Sequence, residues 1–206
     1  MSLPMHWLAA AAAAVSVVEL DAVSIGQFMI SRPLVVGPAL GLALGRADTG
    51  LLVGSLVELF GLDELPVGGN LPINGTVAAA SCLLLALGPA GLPLALALPA
   101  GLFSGWAHGR GESFLRQERA KLCHAAEESL VRGRLPRFGI FSVRSLASQA
   151  CWTALLFTGA VGLLGPALGW FWPRLPRTLK AGLDFGLLAC PSLAAAGLLS
   201  ALWAKR

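Results

Sequence analysis

The sequence contains few charged residues. Asp, Glu, Lys and Arg make up 13% of the 206 residues, against roughly 25% in soluble domains. Apolar residues make up 56%, and the mean hydropathy is +0.74. So few charged side chains cannot cover the surface of a water-soluble domain of this length. The composition therefore indicates a polytopic, all-α membrane protein.

Several chemical signatures are also absent. The four cysteines stand singly, with no CxxC pair, which argues against a zinc site or a disulfide framework. We find no phosphate-binding loop, no nucleophile elbow and no basic ladder interleaved with aromatics. We therefore expect no catalytic residue, no metal, no cofactor and no nucleic-acid partner. The histidines are expected on solvated surfaces: His6, His108 and His124.

Apolar runs of two lengths follow one another along the chain. The first, residues 5–30, has no Lys or Arg before its alanine-rich part, so we expect a retained membrane segment rather than a signal peptide. Residues 34–44 and 51–62 form two runs shorter than the roughly 20 residues that a membrane-spanning helix needs. The break between residues 30 and 34 falls at Pro33. Paired short runs of this kind predict re-entrant or broken segments at a transporter's substrate site.

The second half combines apolar spans with one charged segment. Residues 76–103 predict either one kinked span or a span that ends near Leu87 and a second short piece. Residues 108–137 carry seven basic residues, so we expect an amphipathic helix on the cytoplasmic side. Two more spans are expected at 141–172, interrupted at Gly165-Pro166, and at 181–203.

An ordered set of motifs between residues 21 and 79 gives the chain a family likeness. The motif residues are Asp21, Gln27-Phe28-Met29-Ile30-Ser31-Arg32-Pro33-Leu34-Val35, Gly37-Pro38, Gly41, Leu44-Gly45, Thr49-Gly50, Glu58-Leu59, Pro66-Val67-Gly68-Gly69 and Pro72. In these residues the chain resembles the IIC subunit of the mannose/fructose/sorbose family of phosphotransferase-system (PTS) sugar permeases.

The resemblance implies a fold, a function and partners. It implies one membrane-embedded domain over residues 1–206, with a re-entrant substrate-site region at 33–75. It implies a subunit of the bacterial inner membrane that binds and translocates a hexose-type sugar. The implied partners are a IID-type membrane subunit, cytoplasmic IIA and IIB phosphocarriers that perform the phosphoryl transfer, and membrane lipid, and we expect an oligomer.

Three departures from the family pattern support an alternative. Arg46 stands where the family usually has an acidic residue, and Asn74 stands where it often has an aspartate. The chain is also expected to stop about two membrane segments early. The first two departures favour a changed substrate, and the third favours a shortened IIC-like protein with an assembly or signalling role and no transport. An unrelated membrane scaffold is a third interpretation.

Glu58 is the strongest candidate for a sugar contact, because it is a carboxylate within an apolar run. The alternative for Glu58 is a structural ion pair with Arg32. The amides of Gln27, Asn70 and Asn74 can donate to and accept from sugar hydroxyls, or they can cap and join helices. Gly68 and Gly69 complete the predicted substrate-binding set, and they allow backbone geometry that other residues resist.

Overall fold

The computed structural model describes residues 5–24, 26–61 and 73–204, and these residues form an all-helical fold without a strand. The helices are α1 (Met5–Val23), α2 (Pro33–Ala43), α3 (Ala47–Gly61), α4 (Gly75–Leu87), α5 (Leu94–Val131), α6 (Phe138–Gly159), α7 (Gly165–Phe171) and α8 (Arg177–Ala204). A π-helical turn (Ala160–Leu164) joins α6 to α7, and a 3-10 turn (Trp172–Arg174) follows α7. The predicted break at Gly165-Pro166 therefore lies at the end of a π turn.

Helices α2 and α3 form a closely packed hairpin. A methyl group added to Gly37 would lie 2.4 Å from the carbonyl oxygen of Gly50, and one added to Gly54 would lie 2.4 Å from that of Pro33. Only glycine permits this backbone approach, which is the small-residue packing typical of membrane helices. Helix α2 begins at Pro33, whose missing N–H costs nothing at a first helical position. The two short predicted segments are thus two short helices packed side by side.

Helix α4 lies at the centre of the fold. It packs against α5, α2, α3 and α1, and ten of its residues from Thr76 to Leu85 are buried. The predicted end near Leu87 is confirmed, since α4 ends there and Pro93 precedes the next helix. The piece after it is not short, however: α5 has 38 residues.

The charged segment 108–137 continues α5 rather than forming a separate helix. Its first residues are buried, including His108 and Glu112, whereas Phe114, Leu130 and Val131 are exposed. No proline stands between Trp106 and Glu112, and the helix continues through Gly109 and Gly111, so the apolar and charged halves remain one helix. The segment is therefore buried in the core at its N-terminal end and exposed at its C-terminal end.

Two stretches satisfy the length and hydropathy expected of a membrane span: Phe138–Arg174 and Arg177–Ser200. In the most apolar 18 residues of each stretch, only 17% and 6%, respectively, are buried within the chain. Outward apolar surface of this extent suits contact with lipid or another membrane subunit. Two further apolar helices are shorter, Pro33–Ala43 and Gly75–Leu87.

Candidate functional site

A buried carboxylate, Glu19, organises a polar cluster inside the helical core. Glu19 lies in the last turns of α1 and is 3% exposed. Its oxygens accept hydrogen bonds from Asn74 Nδ2 (3.1 Å), Gln149 Nε2 (3.0 and 3.2 Å) and Thr153 Oγ1 (3.2 Å). These donors come from the start of α4 and from one face of α6. Because Glu19 belongs to α1 and its donors belong to the start of α4 and to α6, its carboxyl group joins three helices.

The contacts of His108 define which of its ring nitrogens carries hydrogen. Asn74 Nδ2 can only donate, so His108 Nδ1 accepts that hydrogen bond at 3.1 Å. His108 Nε2 then carries the hydrogen and donates to Thr153 Oγ1 at 2.9 Å. The Thr153 hydroxyl is in turn within reach of Glu19 Oε2 and of the Gln149 carbonyl oxygen at 3.1 Å. His108 is therefore a neutral, fully buried member of the cluster.

Two arginines border the cluster on the charged half of α5. Arg119 donates to Gln149 Oε1, so Gln149 links this cation to the Glu19 carboxylate. Arg116 pairs with Glu112 one turn before it, at 3.0 Å. The cluster is thus connected to the part of α5 that leaves the core.

A metal ion is poorly suited to this arrangement. Ligand atoms of Glu19, His108 and Glu112 lie within 4.8 Å of one another. Both His108 nitrogens and both Glu19 oxygens already take part in hydrogen bonds with protein groups, and Glu112 pairs with Arg116. The donor set therefore fits a hydrogen-bonded network better than a coordination shell.

A second acidic residue of α1 shapes the loop that precedes α2. The Asp21 carboxylate accepts hydrogen bonds from the backbone N–H groups of Phe28 (2.8 Å), Ile30 (2.8 Å) and Ser31 (3.3 Å). The loop thereby folds over the end of α1, and Gln27 takes a positive φ of 54° within it. This structure brings the predicted contact residue Gln27 to the end of α1, on an exposed loop.

Glu58 forms an ion pair with Arg32. Their side chains meet at 2.6 Å, and the second Glu58 oxygen accepts from the Leu34 N–H at 3.4 Å. The exposed fractions are 53% for the Arg32 side chain and 16% for Glu58. The structural pairing that the sequence left open is therefore present, and it leaves Arg32 accessible at the start of α2.

Asn74 precedes a helix whose first residue packs against the sequence neighbours of this ion pair. It caps α4 by accepting from the Val77 N–H at 3.0 Å. A methyl group on the adjacent Gly75 would lie 2.5 Å from Pro33 Cγ and 3.7 Å from Val57 Cγ1, so the start of α4 packs against the sequence neighbours of Arg32 and Glu58. The structure thus brings Asn74 into the same region as Glu58. Asn70, Gly68 and Gly69 lie outside the described residues.

The sequence reasoning missed most of the buried cluster. Glu19, Gln149 and Thr153 were not candidates, although a carboxylate inside the apolar run 5–30 was a usable signal. The surface assignment of His108 was wrong: the side chain is fully buried because Asn74 and Thr153 satisfy both ring nitrogens. Gln149 and Thr153 are ordinary helix residues whose role depends on tertiary packing.

Comparison with known proteins agrees with this architecture. The chain aligns over 100% of its length, and over 81% of the other chain, with a solved structure described as a membrane protein, at a TM-score of 0.80 and 17% identity. It also aligns with a mannose transporter ManYZ solved in complex with microcin E492 (TM-score 0.66, 17% identity, covering 98% of this chain and 81% of that one). No curated protein matches it significantly.

The family model described as the sorbose-specific IIC component of the PTS matches residues 6–206. That match spans nearly the whole chain, and the helical membrane fold agrees with it. The chain therefore belongs to the sorbose-type IIC family, and it is a multi-pass membrane permease component of a PTS sugar transporter.

Proposed function

We propose that this chain is the IIC subunit that binds a hexose-type sugar and moves it across the bacterial inner membrane. In this proposal residues 1–206 act as one membrane-embedded unit, region 33–75 holds the sugar, and 108–137 faces the cytoplasm. The observation that carries the proposal is the collection of polar side chains where the ends of α1, α2, α3 and α4 meet. Polar groups are costly inside a membrane protein, so their concentration there favours a substrate path.

The Arg32–Glu58 pair is the proposed sugar contact. One oxygen of Glu58 holds Arg32 at 2.6 Å, while the other makes only a long 3.4 Å contact with the Leu34 N–H. That second oxygen retains the capacity to accept a hydrogen bond from a sugar hydroxyl. The exposed Arg32 guanidinium supplies donors beside it. A sugar hydroxyl both donates and accepts hydrogen bonds, so an acceptor beside a donor is suited to bind it.

The proposed amide contacts have different parts in this site. Both N–H groups of Asn74 already bind, to Glu19 and His108, and its oxygen caps α4. Asn74 therefore positions the end of α4 and retains only acceptor capacity for a sugar. Gln27 lies on the exposed loop held by Asp21. The contacts of Asn70, Gly68 and Gly69 rest on the sequence pattern alone.

The proposal includes partners. Chains of this family are expected to act with a IID-type membrane subunit and with IIA and IIB phosphocarriers, which perform the phosphoryl transfer. The apolar and outward-facing surface of α6 and α8 supports a membrane partner or a higher oligomer. The shared fold with the mannose transporter ManYZ supports a hexose as the sugar.

Uptake of a labelled hexose tests the proposal. The chain is produced with its IID, IIA and IIB partners in a bacterial host that lacks a mannose-type permease. Wild type is expected to accumulate sugar phosphate, and Glu58→Gln is expected to reduce uptake strongly because the charged acceptor is lost. Glu118→Gln is the matched control, since Glu118 pairs with Lys121 on the exposed part of α5.

Membrane abundance of each variant is measured alongside uptake. No uptake of any hexose by a well-inserted wild-type complex would favour the assembly or signalling alternative. Equal loss of uptake in Glu58→Gln and in the control would remove the site assignment.

A further inference from the structure

A cluster of basic and aromatic side chains stands at the turn between the two candidate membrane spans. Arg174 ends the span Phe138–Arg174, and Arg177 begins the span Arg177–Ser200. Both arginines are exposed, and Lys180 follows within the first turns of α8. Because only two residues separate the spans, both arginines lie at the same face of the membrane. They are therefore at the depth of the phospholipid headgroups.

Tryptophan rings hold two of these cations in place. The Arg174 guanidinium lies 3.7 Å from the centre of the Trp170 ring, and it donates to the Trp170 carbonyl oxygen. Lys180 Nζ lies 5.2 Å from the centre of the Trp172 ring. Such cation–π contacts keep a charge in one position without neutralising it. Tryptophan is also enriched at membrane–water interfaces.

Within the described residues, no acidic side chain neutralises this cluster. Arg174, Arg177 and Lys180 take part in none of the ion pairs there. The nearest acid along α8 is Asp184, but the Lys180 amine turns the other way, towards the Pro173 carbonyl oxygen at 3.4 Å. The described part of the chain therefore supplies no counter-ion for this charge.

The helix itself adds to the positive potential. The first turn of α8 contains no acidic residue, although helix N-termini favour acids because of the helix dipole. Arg177 instead opens the helix and Lys180 follows. Cations at this end of a helix are unfavourable unless an anion lies beside them. The positive potential at the turn thus calls for an external anion.

We propose that Arg174, Arg177 and Lys180 form a binding site for the headgroup of an anionic phospholipid. The phosphate would lie between the three cations, and the acyl chains would follow the exposed apolar faces of α7 and α8, which include Trp170, Phe171 and Leu179. A lipid is favoured over a soluble anion because the cluster terminates two spans whose surfaces are mostly unburied in the chain.

Lipid binding to the purified full-length protein tests this proposal. Native mass spectrometry compares phosphatidylglycerol with phosphatidylcholine, titrated into detergent-solubilised protein. Wild type is expected to prefer phosphatidylglycerol. Replacing Arg174, Arg177 and Lys180 with glutamine should weaken that binding about fivefold per residue, which corresponds to about 1 kcal/mol each. Arg174→Lys together with Arg177→Lys should retain most of the preference.

Lys121→Gln serves as the matched control, because Lys121 already pairs with Glu118, and it should leave the preference unchanged. An unchanged preference in the triple variant, or none in wild type, would overturn the proposal. Displacement of phosphatidylglycerol by equimolar inorganic phosphate would also overturn it, since the site would then bind a soluble anion. Circular dichroism of the triple variant checks that it remains helical. If it is unfolded, phosphatidylglycerol binding is compared between wild type and the three single variants instead.

Discussion

Gln149 is the residue whose removal most directly perturbs the buried cluster. Its amide donates to both Glu19 oxygens, at 3.0 and 3.2 Å, and its own oxygen accepts from Arg119. Gln149→Leu keeps a similar side-chain volume and removes all three contacts. Glu19 then loses one of its three donor residues. Because Glu19 is only 3% exposed, water cannot readily replace that donor.

The expected loss of stability follows from these contacts. A hydrogen bond to a charged group contributes about 1.5–3 kcal/mol, which applies to the buried Glu19. The Arg119 contact is worth less, about 0.5–2 kcal/mol, because Arg119 is partly exposed and water can replace Gln149. The sum is about 2–5 kcal/mol. At roughly 2–4 °C per kcal/mol for a chain of this size, Tm should fall by about 4–20 °C.

Thermal unfolding in mild detergent, followed by tryptophan fluorescence, measures this effect. Ser148→Ala is the matched control, because the neighbouring Ser148 bonds only to the Ser145 carbonyl oxygen within α6. The control should shift Tm by less than about 2–4 °C, the equivalent of about 1 kcal/mol. If Gln149→Leu had the same Tm as the Ser148→Ala control, the organising role of Glu19 would be refuted.

Three further changes test other parts of the fold. Gly50→Ala should destabilise the α2–α3 hairpin by about 1–3 kcal/mol, because the added methyl group would lie 2.3 Å from the Gly37 carbonyl oxygen. Gly61→Ala is the control in the same Tm measurement, since no atom of the described residues lies within 4 Å of the methyl group it would add. Asp21→Ala should expose the loop before α2 to limited proteolysis, since three backbone N–H groups lose their acceptor. Native Cys123 is exposed on α5 and lies in the segment proposed to face the cytoplasm. In a variant whose other cysteines are alanine, an impermeant thiol reagent should therefore fail to label it on intact cells. Efficient labelling would contradict the cytoplasmic placement.

The sequence predicted the two short segments at 34–44 and 51–62 well, because local signals delimit them. Pro33 and the polar turn near residues 45–50 delimit two runs too short to span a membrane, and the structure has helices at Pro33–Ala43 and Ala47–Gly61. Helix α3 begins earlier than the apolar run because Asp48 suits a helix N-terminus. The family likeness of residues 21–79 was also readable, and the match over residues 6–206 extends it.

The buried cluster could not be predicted in the same way, because its members are far apart along the chain. Glu19 and Gln149 are separated by 130 residues, and His108 and Thr153 by 45. No local period indicates that these side chains meet. The length of α5 was missed for a related reason: a change from apolar to charged residues reads as a boundary, although the helix continues through it.

Sugar affinity at the Arg32–Glu58 pair tests the central claim most directly. Calorimetry on the purified chain with its IID partner would compare wild type, Glu58→Gln, Arg32→Met and the double variant. A charge-assisted bond of about 1.5–3 kcal/mol predicts that Glu58→Gln binds the hexose roughly 10- to 150-fold more weakly, with little change in Tm. Unchanged affinity in Glu58→Gln, together with a lowered Tm that Arg32→Met restores, would show that the pair is purely structural and would contradict the account.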